Sequence, residues 1–140
     1  MNKIPRVLDN WLVMVVDDEP DNVDVARRLL EKSGANVITA ENGIQALELL
    51  QQVHPQFILC DLSMPEMDGW AFIKSLNHNR ATMDTPVIAL TAHAMVGDRM
   101  RAFEAGFVNY ITKPLSVDKF IGNLLRILVE VPELKARLDG

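Results

Sequence analysis

The sequence predicts a doubly wound α/β domain, a five-stranded parallel sheet with helices on both faces, and three observations carry that reading. Five short apolar runs recur along the chain: Trp11 to Val16, Asn36 to Ala40, Gln56 to Cys60, Pro86 to Leu90 and Phe107 to Ile111. A stretch with helical spacing follows each one. The runs show little apolar–polar alternation, which is the pattern of strands covered on both faces and joined by right-handed crossovers. Five such units are too few for a closed eight-stranded barrel, which takes ~250 residues.

The elements follow in order. Val23, Ala26 and Leu30 mark a first helix, with Val25 and Leu29 widening its stripe; Leu47 and Leu50 serve a second, Phe72, Ile73 and Leu76 a third, and Met95 to Ala105 a fourth. The last is the clearest: Val117, Phe120, Ile121, Leu124, Leu125 and Leu128 form one wide apolar stripe. Pro20 suits a first helical turn, Gly34 and Gly106 suit helix ends in the left-handed conformation, and Asp68-Gly69 suits the turn into the third helix. Residues 11–130 hold the βα units. Residues 1–10 are expected to be an N-terminal extension and 131–140 a C-terminal tail, where Pro132 breaks the last helix and 133–138 can add a turn or two.

Composition narrows the function. The chain has 140 residues, 49% of them apolar and 24% charged, as one globular domain should. Nineteen acidic residues against fourteen basic give a formal charge of −5, so neither nucleic acid nor anionic lipid is an expected partner. The only cysteine, Cys60, sits in the apolar stretch Phe57-Ile58-Leu59-Cys60 and reads as a buried small hydrophobe, which suits a reducing cytoplasm. Pro5, Arg6 and Asp9 interrupt the N-terminus before any signal-peptide core, and no apolar run approaches the ~18 residues that span a bilayer. A cytoplasmic protein is expected.

The polar residues at the strand ends carry the chemistry. Asp17 and Asp18 follow the first strand, Asp61 the third and Thr91 the fourth, and Lys113 lies two residues past the fifth. Ligands of open parallel sheets bind outside the carboxyl ends of the strands, so all five side chains can converge. Taken singly, each has a plain explanation as a helix cap, a turn residue or a solvated charge. Several strand ends in agreement do not. Three carboxylates together repel, and a hard cation relieves them; an all-oxygen donor set without Cys or His suits Mg²⁺ better than zinc. Lys113 and the Thr91 hydroxyl then address an anion, and a transferring phosphoryl group fits. A carboxylate beside Mg²⁺ can itself be the nucleophile, and Asp61, the lone acid on its strand, is the candidate.

Asp17-Asp18, the stretch Asp61-Leu62-Ser63-Met64-Pro65-Glu66-Met67-Asp68-Gly69, Ala89-Leu90-Thr91-Ala92, and Tyr110-Ile111-Thr112-Lys113-Pro114 stand in an order and spacing that resemble the receiver domain of two-component response regulators. The resemblance runs over roughly residues 11–130. It implies the flavodoxin-like strand order 2-1-3-4-5 and a phosphorylation-dependent switch that assists its own phosphotransfer and dephosphorylation rather than an enzyme. It further implies Asp61 as phosphoacceptor, Asp18 as direct Mg²⁺ ligand, Asp17 acting through water on the metal, and the backbone carbonyl of Ser63 as a further ligand. Thr91 and Lys113 would contact the phosphoryl oxygens, Ala92 would leave the acceptor open, and Tyr110 would change rotamer with Thr91. A cis Lys113–Pro114 bond is implied as well. The implied partners are a sensor histidine kinase or histidine phosphotransfer protein upstream and an unidentified protein downstream.

Two other uses of such residues fit less well. A haloacid-dehalogenase-like phosphatase starts an Asp-x-Asp motif on its first strand, where this chain has Glu19 two residues after Asp17. In a flavodoxin-type mononucleotide binder, Asp17-Asp18-Glu19 would repel the phosphate. Met64, Met67, Met95 and Met100 read as core filler or as an adaptable surface, and His93 as a solvated loop residue near Thr91.

Overall fold

The computed structural model describes residues 6–92 and 98–139. In chain order the elements are β1 (Leu12–Val16), α1 (Pro20–Lys32), β2 (Asn36–Ala40), α2 (Gly43–Leu49), β3 (Phe57–Asp61), α3 (Gly69–Asn77), β4 (Val87–Thr91), α4 (Asp98–Ala105), β5 (Asn109–Thr112), α5 (Phe120–Leu128) and α6 (Pro132–Asp139). The strands pair in parallel in the order β2-β1-β3-β4-β5. The doubly wound sheet expected from the apolar runs is therefore present.

The three central strands are buried on both faces from Val13 through Val16, Phe57 through Asp61 and Val87 through Thr91. The edge strands differ, and β2 and β5 keep half-exposed residues because each has a neighbour on one side only. Alternate side chains feed two cores. Val13, Val15, Leu59, Ile88 and Leu90 pack under α1, α5 and α6 on one face. Met14, Val16, Ile58, Cys60 and Ala89 pack under α2, α3 and α4 on the other.

Among the described residues, helix boundaries follow the capping signals with one exception, the start of α5. Pro20 opens α1, and the Asp68 carboxylate accepts the Ala71 N–H at 2.9 Å as the N-cap of α3. Gly34 and Gly106 close α1 and α4 with φ of +99° and +113°. The apolar stripe of α5 begins later than its periodicity suggests. The N–H groups of Lys119 and Phe120 both donate to the Ser116 carbonyl, which makes a turn of residues 117–119 and turns Val117 out to solvent, 62% exposed. For α4 the described helix starts at Asp98; Met95 and His93 lie outside the described residues.

The described segments that flank the βα units join the first core. Leu8 is fully buried, its N–H donating to the Ser33 carbonyl at 2.8 Å. Trp11 stands edge-on to Phe57 with ring centroids 6.0 Å apart, and the Arg137 guanidinium of α6 lies 5.5 Å over the Trp11 ring. Leu134 is 4% exposed in the same cluster. Leu134→Ala should accordingly lower the unfolding free energy by about 2–5 kcal/mol, the usual range for a buried leucine. A urea titration checks this, and an unchanged midpoint would mean that α6 is only loosely attached.

Candidate functional site

Sheet register builds the site. Val16 pairs with Cys60, so the next residues, Asp17 and Asp61, leave adjacent strands at the same level. Asp61 pairs with Leu90, and Thr91 pairs with Thr112, whose successor Lys113 donates its N–H to the Thr91 carbonyl at 2.8 Å. The parallel register of β1, β3, β4 and β5 thus delivers two acids, a hydroxyl and an ammonium group to one edge of the sheet.

Asp17, Asp18 and Asp61 each offer a carboxylate oxygen, and these oxygens lie within 4.8 Å of one another. Asp17 and Asp61 are buried and Asp18 is exposed, so the cluster opens to solvent through Asp18. Lys113 Nζ lies 3.1 Å from Asp17 Oδ2 and 3.2 Å from Asp61 Oδ2. Asp17 Oδ1 accepts the Glu19 N–H at 3.0 Å and Asp61 Oδ1 the Ser63 N–H at 3.2 Å. Asp17 Oδ2 is buried with no well-formed hydrogen bond, its contact with Lys113 being an ion pair of poor directionality.

Charge balance in the cluster is incomplete. Burial, and then the neighbouring Asp17 carboxylate, push the Asp61 carboxyl up to about 6, against the pull of the Ser63 N–H and Lys113. Burial would lower the Lys113 ammonium, yet the Asp17 and Asp61 carboxylates outweigh it and hold it above its usual value. Two buried carboxylates therefore share the Lys113 ammonium with the exposed Asp18 carboxylate beside them, and one buried oxygen lacks a directed donor. An additional hard cation on these oxygens supplies what the protein does not, and the residues present fit Mg²⁺.

The raised Asp61 value is also a stability statement. An acid whose folded pKa lies above its unfolded value of 3.8 favours the fold at low pH, and that contribution is lost as pH rises from about 4 through about 6. Asp61→Asn should then stabilise the metal-free protein at pH 7 by about 1–2 kcal/mol, with solvent screening allowed for. Thermal melts in a chelator at pH 4 and pH 7 check this: the variant should gain at pH 7 and little at pH 4. A loss at pH 7 would show that the Lys113 pair outweighs burial and the repulsion from Asp17.

Thr91 is buried at the end of β4, and Ala92 beside it is exposed. Tyr110, half-buried on β5 and paired with Ala89, lines a cleft of about 440 Å³ together with Arg99, Asn109 and Lys119. None of the three aspartates borders that cleft. The Lys113–Pro114 peptide bond is cis. Cys60 is buried next to Asp61, and burial, reinforced by the Asp61 and Asp17 charges, raises its thiol well above the ordinary value. It stays protonated and takes no part.

The sequence analysis leaves out Trp70. Trp70, with Asp18, Leu62, Ser63, Met64, Pro65 and Asp68, borders a shallow cleft beside the acidic cluster. Its ring stands edge-on to Phe107 at 5.7 Å, and the Arg101 guanidinium lies 5.4 Å over it. A tryptophan directly after the Asp68-Gly69 turn was the available signal. Gly69 was read as a turn former, but its proximity to the acceptor strand matters more. A Cβ there would come within 2.5 Å of the Asp61 carbonyl oxygen and 2.9 Å of Leu62 Cα. Only glycine lets α3 start so close to the end of β3.

Comparison with known proteins agrees with the geometry. Residues 13–124 match the family model of the response regulator receiver domain. The polar-differentiation response regulator DivK of Brucella ovis is 41% identical over 109 residues, covering 78% of this chain and 89% of that protein. Among solved structures, the chemotaxis response regulator CheY4 of Vibrio cholerae superposes with a TM-score of 0.77 at 27% identity, covering 85% of this chain and 99% of that one. The signal receiver domain of a signal transduction histidine kinase from Syntrophus aciditrophicus superposes at 0.75 with 30% identity, covering 87% and 92%. With five parallel strands in the order 2-1-3-4-5 and an acidic cluster at their carboxyl ends, the chain belongs to the response regulator receiver domains, the phosphoacceptor signalling domains of two-component systems.

Proposed function

We propose that Asp61 accepts a phosphoryl group from the phosphohistidine of a sensor histidine kinase or a histidine phosphotransfer protein, and that the acyl phosphate changes the surface offered to a downstream protein. The observation that carries this reading is the placing of Lys113 Nζ 3.1–3.2 Å from Asp17 and Asp61 within a three-carboxylate cluster. A permanent metal site has no use for an ammonium among its ligands. A site visited by a phosphoryl group does.

Asp17, Asp18, Asp61 and the Ser63 carbonyl would hold Mg²⁺, which supplies neutralisation of the carboxylates and of the incoming phosphoryl oxygens. In the transfer, a carboxylate oxygen of Asp61 attacks phosphorus and the P–N bond of the phosphohistidine breaks. The bonding pair goes to the ring nitrogen, and the imidazolium leaves as neutral imidazole. Lys113 exchanges part of its pairing with Asp61 for a phosphoryl oxygen as the carboxylate charge is spent. In hydrolysis water attacks phosphorus, the P–O bond to Asp61 breaks with its electron pair left on the carboxylate, and inorganic phosphate leaves. The domain itself thus supplies the groups for both steps. No helix of the described residues is long and apolar enough to cross a membrane, and the reading places the protein in the cytoplasm with the kinase domains that would serve it.

Signal leaves through Thr91 and Tyr110. A phosphoryl oxygen offers the Thr91 hydroxyl a charged acceptor, and moving Thr91 toward it frees room next to β5 for the ring of Tyr110. A ligand shifts a conformational equilibrium only by its differential affinity for the two states, so loss of that hydrogen bond should uncouple the change by ~1–3 kcal/mol without stopping transfer. With phosphoramidate and Mg²⁺, the wild type and Thr91→Ala should each gain one phosphoryl group by mass spectrometry. The amide shifts induced in residues 98–110 should shrink strongly in Thr91→Ala. Full wild-type shifts in that variant would place the output route elsewhere.

A further inference from the structure

The segment from Leu62 to Asp68 carries Ser63 from the acceptor strand to α3, and its two ends are fixed to the sheet. Leu62 donates its N–H to the Leu90 carbonyl at 3.1 Å, and Gly69 donates back to the Leu62 carbonyl at 3.1 Å. The middle rests on the start of α2. Gly43 donates its N–H to the Met67 carbonyl at 3.4 Å, and Asn42 Nδ2 donates to Glu66 Oε2 at 3.4 Å. Glu66 has a φ of +66°, a left-handed conformation that a glutamate adopts at a cost of about 1 kcal/mol or more. A Cβ on the buried Gly43 would lie 2.8 Å from Met67 Cγ and Sδ and 3.1 Å from Met67 Cβ. A side chain at Gly43 would have to displace the Met67 side chain, and the contacts of this segment with α2 hold a strained residue three positions after Ser63.

We infer that Gly43 and Asn42 are positioning residues for the metal site: by holding residues 65–67 against α2 they fix the segment that would present the Ser63 carbonyl to Mg²⁺. This rests on the assignment of Ser63 to the metal made above. Ser63 also ties directly to the acceptor, through its N–H on Asp61 Oδ1, so a displaced segment disturbs two of the proposed ligands together. The consequence is reciprocal: a metal held at Ser63 stabilises the docking of the segment on α2, and α2 becomes coupled to the phosphorylation site with no help from β4 or β5.

The test separates positioning from folding. Gly43→Ala improves helix propensity at the start of α2, so a merely structural role predicts an unharmed or firmer helix. Positioning predicts a Mg²⁺ dissociation constant raised by about tenfold, the scale on which groups behind metal ligands act. Removing the Met67 side chain should repair it, so Gly43→Ala/Met67→Ala returns to within about twofold of Met67→Ala alone. Asn42→Ser keeps the N-cap bond to Gln45 while giving up the reach to Glu66, and it should also weaken Mg²⁺. Each affinity is measured by calorimetric titration of the full chain with MgCl₂, with the melting temperature in chelator as control. Wild-type affinity in both Gly43→Ala and Asn42→Ser overturns the inference, as does a loss in Gly43→Ala that Met67→Ala leaves unrepaired. Asp18→Ala run alongside distinguishes the other failure: if that variant also binds Mg²⁺ normally, the metal assignment itself is wrong and the positioning role falls with it.

Discussion

Asp18→Ala should weaken Mg²⁺ binding by about 100-fold while leaving the metal-free protein folded. The size follows from how few ligands a hard ion takes from the protein. Mg²⁺ keeps several waters and draws its affinity from one or two carboxylates, so losing one of them removes a large share of the charge that holds it. Asp18 is the residue to test because it is exposed, whereas Asp17 is buried and accepts the Glu19 N–H at the start of α1. Asp17→Ala would mix loss of metal with damage to the β1–α1 junction. With Asp18 gone, the like-charge crowding around Asp61 eases, and the melting temperature in chelator should not fall. An unchanged Mg²⁺ titration would remove Asp18 from the metal site.

Much of this site was legible in the sequence because its geometry is set by strand ends. A parallel strand buried on both faces is a plain apolar run, and the first polar residue after it must stand at the carboxyl edge of the sheet. Asp17, Asp61 and Thr91 are found in that way, although Asp61 and Thr91 are counted as the last residues of β3 and β4 rather than the first beyond them. Periodicity was less reliable where a turn has the same spacing as a helix. Val117 fits the stripe of α5 and is nonetheless exposed, since the Ser116 carbonyl collects two N–H groups and closes a turn first.

Contacts between elements distant in sequence were not legible. Nothing local to Leu8 or Leu134 shows that both enter the core below Trp11, because each belongs to a short stretch without enough period to read. The closeness of Gly69 to the Asp61 carbonyl, and of Gly43 to Met67, depends on how α3 and α2 meet β3, and a lone glycine in a sequence reads first as a turn. Glu66 in a left-handed conformation has no signature at all, since the residue types that favour it are glycine and asparagine.

Loss of the Asp61 carboxylate should have the largest effect of any single change, because it removes the atom that forms the new bond. Asp17 and Asp18 cannot substitute for it without cost. Asp17 is buried and held by the Glu19 N–H and Lys113, while Asp18 faces solvent, apart from the Lys113 ammonium that pairs with Asp61. Asp61→Asn preserves shape, and the Ser63 N–H keeps an oxygen acceptor, so the fold survives while the nucleophile and one carboxylate of the proposed metal site are lost. Intact-mass spectrometry after incubation with phosphoramidate and Mg²⁺ should show one added phosphoryl group on the wild type, labile to hydroxylamine as an acyl phosphate must be, and none on Asp61→Asn. Equal labelling of the two proteins would contradict the assignment of Asp61 as the phosphoacceptor.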